Sequence, residues 1–183
     1  MIEKTLVLIK HDGVVRGLVG EIFNRFEKVG LKIIGLKLVH VDKEFAKKHY
    51  PVTEEWYKKV GGNTLNDSAK YGISAKETMG TENPVEIGKK VHAFNVDYLT
   101  CGPVVAIVLE GTHAIEIVRK LVGHTVPSLA APGTIRGDYG LHSAVAANLE
   151  KRSIQNLIHA SGKKEEAEYE IKLWFKPGEL VKY

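Results

Sequence analysis

The chain of 183 residues predicts an α+β fold, a ferredoxin-like β-α-β-β-α-β sandwich in which a four-stranded antiparallel sheet is covered by helices. Three observations point to it. Residues 5–9 and 103–109 are compact apolar runs that read as strands. Each is followed by a helical stripe. A later apolar run ends on a histidine and leads into another charged helical pattern.

In order, residues 5–9 (Thr-Leu-Val-Leu-Ile) form the first strand. Leu18, Val19, Ile22, Phe23, Phe26 and Val29 then fall on one helical stripe, opened by Gly17 and closed by Gly30. Residues 32–41 set Ile34, Leu36 and Leu38 on one face of a second, extended segment. The third strand, 103–109, precedes a helix over about 112–122 with Ala114, Ile115, Val118, Leu121 and Val122 inward. Residues 154–159 make the fourth strand, followed by a helix carrying Ala167, Ile171, Trp174 and Phe175. Two stretches stand outside this scheme. About 53–98 is polar and glycine-dotted apart from helical patches at 54–60 and 84–94, and 143–152 reads as a short alanine-rich helix. Both are expected as insertions into a single domain spanning 1–183, with no internal repeat or low-complexity tail.

Composition narrows the function classes. A charged fraction of 26% and a hydrophobic fraction of 44% are those of an ordinary globular protein, and no apolar stretch nears the roughly 20 residues of a membrane helix. The first apolar run is too short for a signal peptide and has no small-residue cleavage site, so a cytoplasmic setting and no membrane partner are expected. One cysteine, Cys101, excludes an internal disulfide framework and a cysteine-rich metal site; it reads as a small buried residue near a strand start. The net charge of +4 suits a polyanionic partner, either nucleic acid or a small phosphorylated molecule. Sheets of this order that bind nucleic acid display aromatic residues on their strands, and the first and third strands have none, so no specific nucleic-acid partner is expected.

Neither G-x-x-x-x-G-K-[ST] nor a post-strand G-x-G-x-x-G is present, so phosphate would have to be held by side chains. Candidates are Lys10 at the end of the first strand, Arg119 before Gly-His-Thr at 123–125, and Arg136 in a glycine- and proline-rich loop. His159 ends the fourth strand just before a helix, with the Ser161 hydroxyl two residues on, a placement that suits a nucleophilic imidazole. A lone histidine there is more often structural. Cations on strand ends and loops that can converge on it favour the chemical reading. Asp138 and Gly133 read as shaping their loop, and His11, His40, His92, His113, His124 and His142 show no metal-ligand spacing.

The ordered motifs resemble the nucleoside diphosphate kinase family. They are Lys4-Thr-Leu-Val-Leu-Ile-Lys10-His-Asp-Gly13, Arg16-Gly-Leu-Val-Gly-Glu-Ile, His49-Tyr50, Gly102-Pro-Val-Val-Ala, Pro132-Gly-Thr-Ile-Arg-Gly-Asp138, Asn156-Leu-Ile-His-Ala-Ser161 and Glu170-Ile-Lys-Leu-Trp-Phe175. The resemblance implies a ping-pong transfer of the γ-phosphoryl group of ATP or another nucleoside triphosphate to a nucleoside diphosphate, maintaining triphosphate pools, through a pros-phosphohistidine on His159. It implies that Lys10, Arg119, Thr125, Arg136 and Asn156 contact phosphates or ribose and that Tyr50 lies beside the histidine. Ser161 and Glu170 would orient the ring. Mg2+ would be the cofactor, held by the nucleotide's phosphates with no protein ligand. A homo-oligomer is implied, a hexamer in preference to a tetramer.

The chain departs from the family at His11 (usually proline), Ala160 (usually glycine) and Gly162 (usually acidic). It also has no arginine between Arg25 and Arg119, where the family's lid supplies one. Lys89 or Lys90 would replace that cation, and Phe94, Trp56 or Tyr57 the base-stacking ring.

Overall fold

The computed structural model describes residues 2–183. In chain order the elements are β1 (Ile2–Ile9), α1 (His11–Val15), α2 (Val19–Lys28), β2 (Lys32–Val39), α3 (Lys43–His49), α4 (Glu54–Lys70) and α5 (Ala75–Met79). They continue with α6 (Pro84–Thr100), β3 (Val104–Thr112), α7 (Ala114–Val122), α8 (Ile135–Tyr139), α9 (Ala144–Leu149), β4 (Ile158–Ala160) and α10 (Lys164–Trp174). The chain divides into two compact units. The first comprises residues 1–41, 102–141 and 156–183, and the second residues 42–101 and 142–155.

The first unit is the sandwich. Its four strands lie in the order β2-β3-β1-β4, and every neighbouring pair is antiparallel, with Leu6 opposite Val108 and Leu8 opposite His159. Leu6, Val7, Leu8 and Ile9 are all fully buried, because β1 is central and covered on both faces, which is why its sequence is a solid apolar run. On one face Val7, Ile9, Ile107 and Leu109 pack with Ile22 and Phe26 of α2 and Val118 and Val122 of α7. Helix α10 also packs on β1. Helix α2 ends in a Schellman turn: Leu31 N–H bonds to the Phe26 carbonyl and Gly30 N–H to that of Glu27, with Gly30 at φ 82°.

Strand β4 is shorter than the expected 154–159. Leu157 adopts φ 67°, outside the β region, so pairing with β1 begins only at Ile158. Four short helical segments, α1, α3, α5 and α8, have no counterpart in the sequence reading. They are five to seven residues long and carry too few turns to show a period.

The second unit is helical. The stretch 53–98, expected to be polar and loop-like between helical patches, is filled by α4, α5 and α6. Gly61 lies just past the expected helical patch at 54–60, and Gly88 within the one at 84–94. They lie inside α4 and α6, where an added Cβ would collide with the Pro84 and Tyr57 backbones, so they permit close helix packing. Each helix of this unit starts on a side-chain cap: Asp42 for α3, Thr53 for α4, Ser74 for α5, Asn83 for α6 and Ser143 for α9. Ala75, Met79 and Ile87 form its small core, with Leu65, Val91 and Phe94 packed against them. Because α6 runs on to Thr100, Cys101 caps that helix and is exposed, and the expectation of a buried cysteine at a strand start is corrected. Among the described residues, no helix is long and apolar enough to cross a membrane.

Candidate active site

The candidate site is built in the first unit, where the ends of β1 and β4 meet the loops around 123–125 and 131–136. Lys10 leaves β1 as the residue before α1, and its side chain is 7% exposed. Its ammonium donates to Asn156 Oδ1 at 2.8 Å, and the Asn156 amide donates to the Thr125 carbonyl at 3.0 Å. Burial, reinforced by the nearby Arg136 charge and opposed by Asp12, lowers the Lys10 pKa to about 7.

Between Asn156 and Ile158 the chain makes a tight γ-turn. The Ile158 N–H donates to the Asn156 carbonyl at 2.7 Å across Leu157, whose positive φ places the turn in its rare, strained form. Such a conformation at a branched, fully buried residue costs on the order of 1–3 kcal/mol and persists only where its surroundings over-determine it. They do so here. Leu157 N–H donates to Asp12 Oδ2 at 3.1 Å, Lys10 N–H donates to the Leu157 carbonyl at 2.8 Å, and Arg136 holds the carbonyls on either side. Gly13 lets α1 come close, since a Cβ there would lie 3.2 Å from the Leu157 oxygen and 2.8 Å from Ile9.

One step later His159 sits in β4 opposite Leu8. Its Nε2 lies 2.8 Å from Glu170 Oε1, and the other oxygen of Glu170 accepts from the Ser161 hydroxyl at 2.6 Å. Ser161 Oγ in turn accepts the Leu6 N–H at 3.2 Å, which ties the relay to β1. A carboxylate accepts only, so this bond assigns the proton to Nε2 and the ring's lone pair to Nδ1. Glu170 is 2% exposed while the histidine side chain keeps 17% exposure, so the carboxylate is sealed and the ring keeps some access to solvent. Desolvation lowers the His159 pKa; the charge of Lys10 adds to this, Glu166 opposes it, and Arg136 and Arg119 reinforce it. The imidazole is therefore neutral at pH 7.

Arg136 is 3% exposed and donates from Nε to the Asn156 carbonyl at 3.1 Å, from Nη1 to Gly123 at 2.9 Å and from Nη2 to Ile158. It braces the nucleophile strand as well as supplying charge. Its loop is held by Asp138, which accepts the Gly133 N–H at 2.7 Å and pairs with Arg25 at 2.7 Å. Arg25 also donates to the Tyr139 hydroxyl, which donates to Glu21.

Of the expected site residues, the structure thus joins Lys10, Arg136, Asn156, His159, Ser161 and Glu170. Thr125 joins them through its carbonyl, and Arg119 is exposed in the last turn of α7 and acts on His159 through its charge. Tyr50 and Phe94 belong to the second unit. Tyr50 follows α3 with its ring 4.6 Å from that of His49, and Phe94 packs on that unit's own core. Trp56, Tyr57 and His92 form an edge-to-face cluster, and Lys90 donates to the Met79 carbonyl at the end of α5. Asp12 and Arg25 escaped sequence reasoning. Asp12 stood inside a quoted motif, but its partner is 145 residues away; of the Arg25 network only the Glu21 pair at i,i+4 is local, and Asp138 and Tyr139 lie more than 100 residues off.

A family model described as nucleoside diphosphate kinase matches residues 3–61 and 69–180. A nucleoside diphosphate kinase of Pyrobaculum aerophilum is 48% identical over 180 residues, covering 98% of this chain and 98% of the relative. This chain belongs to the nucleoside diphosphate kinase family. The nucleoside diphosphate kinase of Pyrococcus furiosus is 46% identical over 182 residues, covering 100% of this chain and 88% of its own. Among solved structures, an NDP kinase from Pyrobaculum aerophilum matches with a TM-score of 0.95 and 47% identity, each chain fully covered. A nucleoside diphosphate kinase from Borrelia burgdorferi, solved as a transition-state mimic with bound vanadate and ADP, matches with a TM-score of 0.79 and 38% identity, covering 100% of this chain and 92% of that one. The α+β sandwich expected from the sequence is the observed fold. The activity is that of a nucleoside diphosphate kinase, a phosphotransferase working between nucleoside tri- and diphosphates by a ping-pong route.

Proposed function

We propose that His159 is the group that carries the phosphoryl in this reaction, and that Lys10, Arg119, Thr125, Arg136 and Asn156 hold the nucleotide's phosphates and ribose against it. The observation that carries the reading is the Glu170 bond to His159 Nε2, which directs the lone pair of a neutral ring through Nδ1. Nδ1 attacks the γ-phosphorus of ATP or another nucleoside triphosphate, the bond to the β–γ bridging oxygen breaks, and that oxygen leaves on the nucleoside diphosphate. A second diphosphate then attacks the same phosphorus and releases the neutral ring. Glu170 stabilises the positive charge that the ring gains while it bears the phosphoryl group, and Ser161 keeps the carboxylate in place. Lys10 and the arginines oppose the charge on the transferring oxygens from fixed positions, so little reorganisation is needed. An incoming polyanion restores the proton that burial makes Lys10 hold weakly.

Mg2+ is the metal we assign to the reaction. Both Glu170 oxygens and one Asp12 oxygen are already engaged, and Lys10, Arg119 and Arg136 act on the ring with positive charge, a setting that suits an ion carried by the nucleotide's own oxygens. When bound it neutralises phosphate charge. Tyr50 is assigned to the neighbourhood of the histidine, and the base-stacking ring to Phe94, Trp56 or Tyr57, as the family resemblance implies. The assembly we assign is a hexamer.

With ATP labelled on the γ-phosphate, the protein takes up label that is stable in base, labile in acid and discharged by GDP. His159→Ala folds but takes up none. Turnover without labelled protein, or unchanged labelling of His159→Ala, rejects the assignment.

A further inference from the structure

We propose that Asp12 is a positioning residue for phosphoryl transfer: its carboxylate locks the left-handed γ-turn at Leu157 and so aims Asn156 and His159 from the two sides of that turn. The inference rests on the reading of His159 as the phosphoryl carrier.

The side chain of Asp12, in the first turn of α1, reaches beyond its own helix. The residue before α1 makes no side-chain cap, and Asp12 Oδ2 instead accepts the Leu157 N–H at 3.1 Å, across 145 residues of sequence. Neither the γ-turn bond, nor Lys10, nor Arg136 engages that N–H; they hold the carbonyls of Asn156, Leu157 and Ile158. A buried N–H without an acceptor favours reorientation of its peptide plane, and reversal of the 156–157 peptide would move the Asn156 carbonyl off Arg136 and its side chain off Lys10. His159 lies two residues beyond the same peptide. An error of about 1 Å in a reacting atom is worth on the order of 100-fold in rate.

The Asp12 charge has a second effect at the same place. Lys10 faces Arg136 from α8, Asp12 from α1 and His159 from β4; among these the Asp12 carboxylate favours the protonated ammonium while burial and Arg136 disfavour it. Geometry and charge can be separated, because Asp12→Asn keeps an acceptor oxygen for Leu157 and loses the charge, whereas Asp12→Ala loses both.

Single-turnover phosphorylation by ATP tests the assignment, read as label on His159 against pH, with KM, kcat and circular-dichroism melting measured on the same preparations. Asp12→Ala is expected to slow phosphorylation about 100-fold while KM for ATP changes less than about threefold. Asp12→Asn is expected to stay within about tenfold of wild type at pH 6 and to lose activity at lower pH than wild type on the alkaline side, as Lys10 deprotonates earlier. A folded Asp12→Ala that phosphorylates at the wild-type rate overturns the proposal, as does an Asp12→Asn identical to Asp12→Ala in rate and pH profile. Should Asp12→Ala fail to fold, the Asp12→Asn profile decides alone, and an alkaline limb that coincides with wild type counts against the proposal. Absence of label from the wild-type protein overturns the carrier reading itself, an outcome distinct from any of these.

Discussion

The two units treat buried polar groups in opposite ways. In the second unit, buried Thr64 and Thr78 are satisfied close by, each bonding to a carbonyl four residues back. In the first, Lys10 bonds to Asn156, Asp12 to Leu157 and Ser161 to Leu6 across separations of 146, 145 and 155 residues. Local bonds stabilise an element wherever it packs. Long-range ones exist only once the sheet has brought β1 and β4 together, and they fix the relative position of segments to within a bond length. The second unit is therefore built for secondary structure and the first for placement, at a cost in burying charge.

The largest expected effect removes that charge. Replacing Lys10 by methionine should slow phosphorylation on the order of 100–1,000-fold, as loss of one preorganised cation does. It should also stabilise the empty protein. Lys10 has a folded pKa of about 7 against 10.5 unfolded, so between these values the unfolded chain binds the extra proton, and the penalty is complete below pH 7 and fades as pH rises toward 10.5. With the Asn156 oxygen deprived of its Lys10 bond, the net gain at pH 6 should be about 1–2 kcal/mol and should shrink by pH 9.5, read from urea midpoints. A less stable Lys10→Met at pH 6 contradicts the picture of a group buried for function.

Next comes Glu170→Ala, which frees the Nε2 side of His159 and leaves the Ser161 hydroxyl without its 2.6 Å partner. Phosphorylation should fall about 100-fold through lost ring orientation, and stability by about 1–3 kcal/mol. Rate loss without stability loss would mean that the carboxylate is poorly engaged in the resting protein.

What could be read in the sequence follows the same division. The strands, the α2 and α7 stripes and the Schellman glycine announce themselves through local period and turn chemistry. Helices α4 and α6 are legible only in part, as the patches at 54–60 and 84–94, because the close approach at Gly61 and Gly88 that favours the full helices depends on a partner segment no local period shows. His159, Lys10, Arg136 and Asn156 were legible as motif members. That Arg136 braces backbone carbonyls, that Leu157 is left-handed, and that Asp12 faces it were not, because each depends on a partner brought near by the sheet.

The pH dependence of stability sharpens the contrast on the acid side. His159 has its folded pKa depressed below 6.5, so as pH falls through 6.5 the unfolded chain takes up a proton that the native ring refuses, and stability drops with a slope of up to about 1.4 kcal/mol per pH unit from this group. His159→Gln should flatten the urea midpoint between pH 6.5 and 4.5 by that share. An unchanged slope would show that the ring is protonated in the native protein near pH 6, contrary to its desolvation beside Lys10.

The smallest effect comes from the locally bonded unit. Thr53 caps α4 by accepting the Trp56 N–H at 3.2 Å, and Ser143 caps α9 by accepting that of Ala146 at 3.1 Å. Either alanine variant should cost about 1 kcal/mol, the usual worth of such a cap, because each removes one acceptor from a helix start that water can partly solvate. The two caps share no partner, so the double variant should cost the sum within about 0.5 kcal/mol. By contrast, Lys10→Met and Glu170→Ala alter one connected field around His159 and should combine non-additively. Additivity in that second pair, measured by the same urea titrations, would erase the distinction between a unit held by independent local bonds and one held by a shared network.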